Sequence, residues 1–187
     1  MFLDIAVGML LALAACSRGM RLSPKVVFLS IGFALLPDLD AVLHLVLHGN
    51  VNGEHRALLH LPLLFVALTL PVLAVWGRKW AGLFLAGTMW HFVHDSVLIG
   101  FGVKWLWPFS DRWHKFFADP GTAWWTWEHF HVSWSPVEVE RLVELYRGFD
   151  YIREFYLQPH WLGIIELLPF LIVLPVVIRA LKKSRAA

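Results

Sequence analysis

Five long apolar segments constrain this chain more than any other feature of its sequence. They run over 2–16, 26–48, 57–76, 80–101 and 161–181. A helix needs about 20 mostly apolar residues to cross a bilayer, with a range of about 17–25. All but the first segment reach that range, so the first is the weakest candidate. The sequence therefore predicts an all-α fold, a polytopic helical membrane protein with about five spans.

The composition agrees with a membrane location. Hydrophobic residues make up 58% of the chain and charged residues only 16%, whereas soluble domains contain about 45–50% and about 25%. The formal net charge of +2 is too small to indicate a nucleic-acid partner. Cys16 is the single cysteine, which excludes an intramolecular disulfide. The residues before it resemble a lipoprotein cleavage box, but no basic region precedes them, so we expect this helix to be retained.

Lysine and arginine residues beside the apolar segments predict the orientation of the chain. They form three basic clusters, after the first, third and fifth segments: Arg18, Arg21 and Lys25; Arg78 and Lys79; and Arg179, Lys182, Lys183 and Arg185. Such residues accumulate on the cytoplasmic side of membrane proteins, and five spans place all three clusters on one side. We therefore expect a multi-pass protein of a bacterial-type inner (plasma) membrane with a cytoplasmic C-terminus.

The region between the fourth and fifth segments is too long for a structureless loop. Six of the eleven Trp residues lie between Trp105 and Trp127, and Trp favours the membrane–water interface. Ser135 and Pro136 offer a helix N-cap and a first-turn proline. Apolar residues follow at helical spacing: Val139, Leu142, Val143, Tyr146 and Phe149. This region is therefore predicted to be an interfacial cap rich in Trp, with an amphipathic helix.

These features divide the chain into three parts. Residues 1–101 hold four membrane helices and the candidate site. Residues 102–160 form the external cap, and residues 161–187 form the last membrane helix with a basic cytoplasmic tail.

Ionisable residues interrupt the apolar segments at three places. They are Asp38, Asp40 and His44; then Glu54, His55, Arg56 and His60; and then His91, His94 and Asp95. The predicted topology places all three groups in the outer half of the bilayer. An ionised Asp at the centre of a spanning helix costs at least about 2.5–3.5 kcal/mol, which a divalent cation held between such groups offsets. Because a mixed Asp/His set suits zinc, manganese or iron, we expect a metal site with one ion or two.

Other interpretations of the same residues stay open. Acids and imidazoles within a membrane could relay protons or metal ions through a transporter. A lone histidine such as His48 or His160 is more often a hydrogen-bonded core residue than a ligand. Two histidines on facing helices could hold a haem, although the carboxylates argue against it. A non-catalytic membrane scaffold whose cap binds a partner is a further alternative.

Four motifs carry a family resemblance. They are Leu36-Pro37-Asp38-Leu39-Asp40, His55-Arg56-Ala57-Leu58-Leu59-His60, Gly87-Thr88-Met89-Trp90-His91-Phe92-Val93-His94-Asp95 and Leu106-Trp107-Pro108-Phe109-Ser110. In order and spacing they resemble the YdjM-like family of inner-membrane, metal-dependent hydrolases. The resemblance implies a metal-associated set, which is Asp38, Asp40, His55, His60, His91 and Asp95, with Arg56 as its basic neighbour.

The chain departs from the family pattern at several positions. Ala57, Leu59 and Leu61 stand where the family has Gly, Thr and Ser. The family often has a histidine near the start of the first span, where this chain offers only Asp4. Residues 114–160 match no part of the pattern.

Residues and resemblance together predict a membrane-embedded, metal-dependent hydrolase that acts on a lipid or a lipid-like ester or phosphoester. Zinc is the expected metal, with manganese or iron as alternatives, and it would lower the pKa of a bound water toward about 7. Asp40 or Asp95 is the expected general base, and Arg56 would steady an anionic oxygen. A proton- or metal-ion-conducting transporter and a non-catalytic scaffold remain the alternatives.

Overall fold

The computed structural model describes residues 1–48, 59–98, 100–145 and 161–186. Its helices are α1 (Phe2–Ser17), α2 (Pro24–Leu35), α3 (Leu39–His48), α4 (Pro62–Trp76), α5 (Arg78–Val97), α6 (Pro136–Leu145) and α7 (Trp161–Ala186). Two strands, β1 (Trp113–Phe116) and β2 (His131–Trp134), form an antiparallel pair. The described part of the chain is therefore mostly helical, as predicted, with one small sheet that the sequence analysis missed.

The small sheet corrects the all-α prediction. Trp113 pairs with Trp134, and Lys115 pairs with Val132, and all four side chains are buried. Residues at alternate positions of a strand face the same side, so this face lies inward. A strand of four residues is too short for its alternation to be recognised by spacing alone.

The chain forms two compact units. The first consists of Met1–Leu36, Phe65–His91 and Ile164–Ala187, and the second of Pro37–Leu64 and Phe92–Gly163. Each unit is described separately below. The three-part division expected from the sequence stays a prediction.

Small residues allow close helix packing in the first unit. A Cβ on Gly8 of α1 would lie 2.6 Å from the Cα of Ile31 in α2, and a Cβ on Gly87 of α5 would lie 3.1 Å from the backbone nitrogen of Ala34. Glycine permits such approach because it has no side chain. The core beside these contacts joins α1, α2 and α7: Met9, Ala12, Val26, Val27, Val173 and Val177.

The three basic clusters lie at one end of the first unit. The Lys79 Nζ donates a hydrogen bond to the Gly19 carbonyl oxygen at 2.8 Å, which holds the start of α5 beside the α1–α2 loop. The Ser184 hydroxyl donates to the Leu22 carbonyl oxygen at 2.8 Å, which brings the end of α7 to the same loop. The side of the membrane on which this end lies stays a prediction.

Ser23 caps the N-terminus of α2. Its hydroxyl accepts a hydrogen bond from the Val26 backbone N–H, and Pro24 occupies the first helical position. Replacing Ser23 with alanine is expected to lower the free energy of unfolding by about 1 kcal/mol, because one backbone donor loses its partner. Thermal unfolding of purified protein in detergent measures this loss. Ser17→Ala is the control, since the Ser17 hydroxyl is exposed and caps no helix N-terminus.

Two stretches among the described residues are long and apolar enough to cross a membrane. They are Pro24–Leu43 and Trp161–Arg185. The helices α1 and α4 are apolar but short, with 16 and 15 residues. They extend about 24 and 23 Å, whereas the hydrocarbon core of a bilayer is about 30 Å thick. The described helices therefore do not support the predicted five spans.

The second unit contains the sheet and the predicted amphipathic helix. Val139 and Leu142 of α6 are buried in a core with both strands. Ser135 caps α6 as predicted: its hydroxyl oxygen accepts a hydrogen bond from the Glu138 backbone N–H at 3.4 Å. In return, its backbone N–H donates to the Glu138 carboxylate at 2.7 Å. The hydrogen bond from the Ser135 side chain lowers the pKa of Glu138. Tyr146 and Phe149, which the prediction placed in the same helix, lie outside the described residues.

Aromatic side chains form a second cluster in this unit. The ring centroids of Trp125 and Trp127 lie 4.4 Å apart, and those of Trp125 and Trp161 lie 4.7 Å apart. Trp161 begins the candidate span Trp161–Arg185. The interfacial location of the cap stays a prediction.

Candidate metal centre

A proline reshapes the helix that carries the first two acids. Pro37 lies in a short 3₁₀ turn, Leu36–Asp38, which separates α2 from α3. On a regular α-helix the side chains of Asp38 and Asp40 would point about 160° apart. Proline lacks the N–H that would continue the helical hydrogen bonds, so the backbone tightens there. Both carboxylates consequently contact the same ring, that of His60.

Three acids surround the imidazole of His60. Its Nδ1 lies 2.8 Å from Oδ2 of Asp40, and its Nε2 lies 3.1 Å from Oδ2 of Asp95 and 3.9 Å from Oδ1 of Asp38. His60 and Asp40 are fully buried, whereas the Asp38 side chain is 34% exposed. We call Asp38, Asp40, His60 and Asp95 the acid–histidine cluster; all four belong to the second unit.

Neighbouring groups fix the orientation of the His60 ring. Asp40 accepts a second hydrogen bond, from the Leu59 backbone N–H at 3.2 Å. The Lys104 backbone N–H donates to the His60 carbonyl oxygen at 3.4 Å, and the Phe92 ring packs edge-on against the imidazole. With Nδ1–H directed to Asp40, Nε2 is the atom directed toward the other two acids. Metal-ligating histidines are commonly oriented by a carboxylate in this way.

The acids also control the protonation of the ring. His60 lies before α4 and outside the two stretches that are long enough to span a membrane. Burial by itself would lower the pKa of His60, but hydrogen bonds to Asp40 and Asp95, together with their charges, raise it to about 9. A divalent cation needs a neutral imidazole, so metal binding at Nε2 would displace this proton.

The donor atoms fit a divalent cation. Bond lengths of about 2.0–2.2 Å around a tetrahedral zinc ion separate neighbouring ligand atoms by about 3.3–3.6 Å. The distances from His60 Nε2 to Asp95 and Asp38, 3.1 and 3.9 Å, bracket this range. Carboxylate oxygens and an imidazole nitrogen suit zinc, manganese and iron. The described residues thus contain a His/Asp group that could hold a metal ion, with Asp38 and His60 among its members; the metal's identity stays a prediction.

His91 belongs to the first unit. Its Nδ1 lies 2.9 Å from the Ala34 carbonyl oxygen and 3.7 Å from Oδ1 of Asp4. The close packing at Gly87 brings α5 near enough to α2 for the first contact. A carbonyl oxygen only accepts, so Nδ1 carries the proton and Nε2 of the neutral ring can bind a metal. His91 as a metal ligand stays a prediction.

Two predicted site residues lie outside the described part of the chain. These are His55 and Arg56, whose roles as metal ligand and as catalytic cation stay predictions. Among the described residues the geometry separates the two predicted bases. Asp40 already accepts two N–H groups, which favours an orienting role, whereas Asp95 contacts the metal-binding side of His60.

The structure also buries ionisable residues that were not among the predicted metal-binding or catalytic residues. Asp4 contacts His91, and Glu166 accepts a hydrogen bond from the Leu3 backbone N–H at 3.3 Å. Lys115 is fully buried and donates to the Leu98 carbonyl oxygen at 2.7 Å. Lys115 follows Trp113 by two residues, and residues two apart in a strand face the same side. This spacing was the sequence feature that could have placed Lys115 on the inner face of β1.

Comparisons with known proteins agree with the predicted location of the chain in an inner membrane. The sequence model of the YdjM inner membrane protein family matches residues 3–186. Inner membrane protein YbcI of Escherichia coli (strain K12) is 42% identical over 107 aligned residues, which cover 51% of this chain and 59% of YbcI. The chain therefore matches less than two thirds of that relative's length. No solved structure matches the chain.

Proposed function

Because the chain belongs to the YdjM inner membrane protein family, we propose that it is a membrane-embedded, metal-dependent hydrolase of a lipid-like ester or phosphoester. The acid–histidine cluster is the observation that carries the proposal. Three carboxylates contact one buried imidazole, and carboxylate oxygens together with an imidazole nitrogen are donors that suit a divalent cation. The expected ligands from this cluster are His60, Asp95 and Asp38.

Each residue of the cluster has a distinct task in this proposal. A divalent cation, when bound, supplies a water whose pKa is lowered toward about 7. Asp40 holds the His60 ring with Nε2 toward the site. Asp95 and Asp38 would hold the ion together with His60, and Asp38 is the partly exposed member of the cluster. Arg56 is the proposed cation that steadies the anionic oxygen of the substrate.

A lipid-like substrate follows from the place of the acids in the chain. Asp38 and Asp40 lie within Pro24–Leu43, a stretch that is long and apolar enough to cross a membrane. A site on such a stretch meets lipids more readily than soluble metabolites. We further propose the multi-pass topology with a cytoplasmic C-terminus, which the grouping of the basic clusters at one end of the first unit supports.

Metal removal tests this function. Purified protein in nanodiscs is expected to hold stoichiometric divalent metal by elemental analysis and to release phosphate or fatty acid from bilayer lipids. Chelation should abolish the release, and restored zinc or manganese should return it. An Asp119→Asn variant is the control, because this carboxylate lies outside the cluster and accepts hydrogen bonds from the Gly121 and Thr122 N–H groups of a loop. A parent protein without metal, or with equal release before and after chelation, would contradict the proposal.

A further inference from the structure

The first unit contains a groove whose lining includes no residue of the acid–histidine cluster. It is an open cavity of about 240 Å³ between the end of α1 and the start of α5. Ala14 and Ala15 line it from α1, and Gly82 and Ala86 line it from α5. Gly82 and Ala86 are four residues apart, so they share one face of the helix. We call this cavity the small-residue groove; its apolar floor suits a hydrocarbon chain.

Three cations border the small-residue groove. They are Arg18, Arg78 and Lys79, and all three are exposed. Lys79 is held by its hydrogen bond to the Gly19 carbonyl oxygen. Among the described residues that line the groove there is no Asp or Glu. The groove therefore joins an apolar floor to a basic rim.

The charges of the whole first unit strengthen this rim. Every Lys and Arg within its sequence ranges belongs to one of the three basic clusters, which meet at this end of the unit. The two acids within those ranges are Asp4, near the start of α1, and Glu166, near the start of α7. These are the opposite ends of the same helices, so the field at the groove favours an anion.

We propose that the small-residue groove binds an anionic phospholipid of the surrounding bilayer. The phosphate contacts Arg18 and Arg78, and one acyl chain lies along Gly82 and Ala86. A phospholipid has the two chemistries that the groove presents next to each other, and basic pockets between membrane helices bind such headgroups. Free phosphate would use the rim but not the floor. No residue of the acid–histidine cluster lines this groove.

Filling the groove tests the acyl-chain part of the proposal. Nothing lies within 4 Å of a Cβ built on Gly82, so Gly82→Leu places its side chain in open space without moving the backbone. Native mass spectrometry of the full chain, with phosphatidylglycerol or phosphatidylcholine added to the detergent, measures retained lipid. The parent is expected to retain phosphatidylglycerol preferentially, and Gly82→Leu to lower this retention at least about tenfold. Gly32→Leu is the matched control, since Gly32 also has open space around it.

Removing charge tests the headgroup part. Each basic residue near an anionic lipid is worth about a fivefold change in binding, so Arg18→Gln with Arg78→Gln should weaken phosphatidylglycerol binding by at least about tenfold. Lys183→Gln with Arg185→Gln removes the same charge from the end of α7, where neither residue lines the groove, and should weaken binding by a clearly smaller factor. Equal losses from both pairs, unchanged binding in Gly82→Leu, or displacement of the lipid by inorganic phosphate would each overturn the proposal.

Discussion

Alanine at His60 is expected to abolish stoichiometric metal binding. The substitution removes the nitrogen donor from the acid–histidine cluster and leaves Asp38, Asp40 and Asp95 without the ring that they share. A divalent ion would then be held by carboxylates alone, with Asp40 no longer positioned by the ring. Elemental analysis of the purified variant, beside the parent, measures the loss. His129→Ala is the matched control, because His129 is exposed in the cap.

A milder substitution separates ligand loss from misfolding. Removing His60 also leaves three buried or half-buried acids close together, which by itself is destabilising. Asp40→Asn keeps the shape of the side chain but weakens its hold on the His60 Nδ1–H. Changing a partner that orients a metal-ligating histidine typically lowers metal affinity about 10–100-fold. If a folded Asp40→Asn protein binds zinc as tightly as the parent in competition with a chelator, the cluster does not hold the metal.

Much of this cluster could be predicted from the sequence. Burying acids and imidazoles inside apolar segments costs free energy unless a partner offsets it. This cost is the reason why the sequence points to Asp38, Asp40, His60 and Asp95. Pro37 lacks the N–H that continues a helix, so a change in the helix at this point can be expected from the sequence, and the 3₁₀ turn at Leu36–Asp38 shows it. The sequence could not predict that Asp40 would orient the ring, because that role depends on which ring nitrogen each acid contacts.

Other contacts depend on long-range packing and carry no local signal. Asp4 meets His91 although 86 positions of the chain lie between them, and their approach depends on the close packing at Gly8 and Gly87. The strands β1 and β2 were hidden by their length, although each alternates as a strand should. Hydropathy alone predicted five spans, and the described helices do not support that number, because α1 and α4 are shorter than the length that a bilayer requires.

Alanine at Gly102 is expected to destabilise the second unit by at least about 3 kcal/mol. Gly102 has φ +78°, a conformation that costs residues with a side chain about 1–2 kcal/mol. A Cβ there would overlap the carbonyl oxygen of His114 and would lie 2.7 Å from its carbonyl carbon. Backbone atoms cannot turn aside as a flexible side chain can, so the Val103–His114 bridge must open.

The same displacement should reach the candidate metal centre. The Lys104 N–H that holds the His60 carbonyl oxygen follows Gly102 by two residues, so opening the bridge loosens the support of His60. Thermal unfolding followed by Trp fluorescence measures the stability loss, and zinc competition measures the weaker binding. Gly121→Ala is the control, since its Cβ would meet only the Asp119 carboxylate at an ordinary 3.4 Å. A Gly102→Ala protein that unfolds at the parent's temperature would show that the bridge does not support this unit.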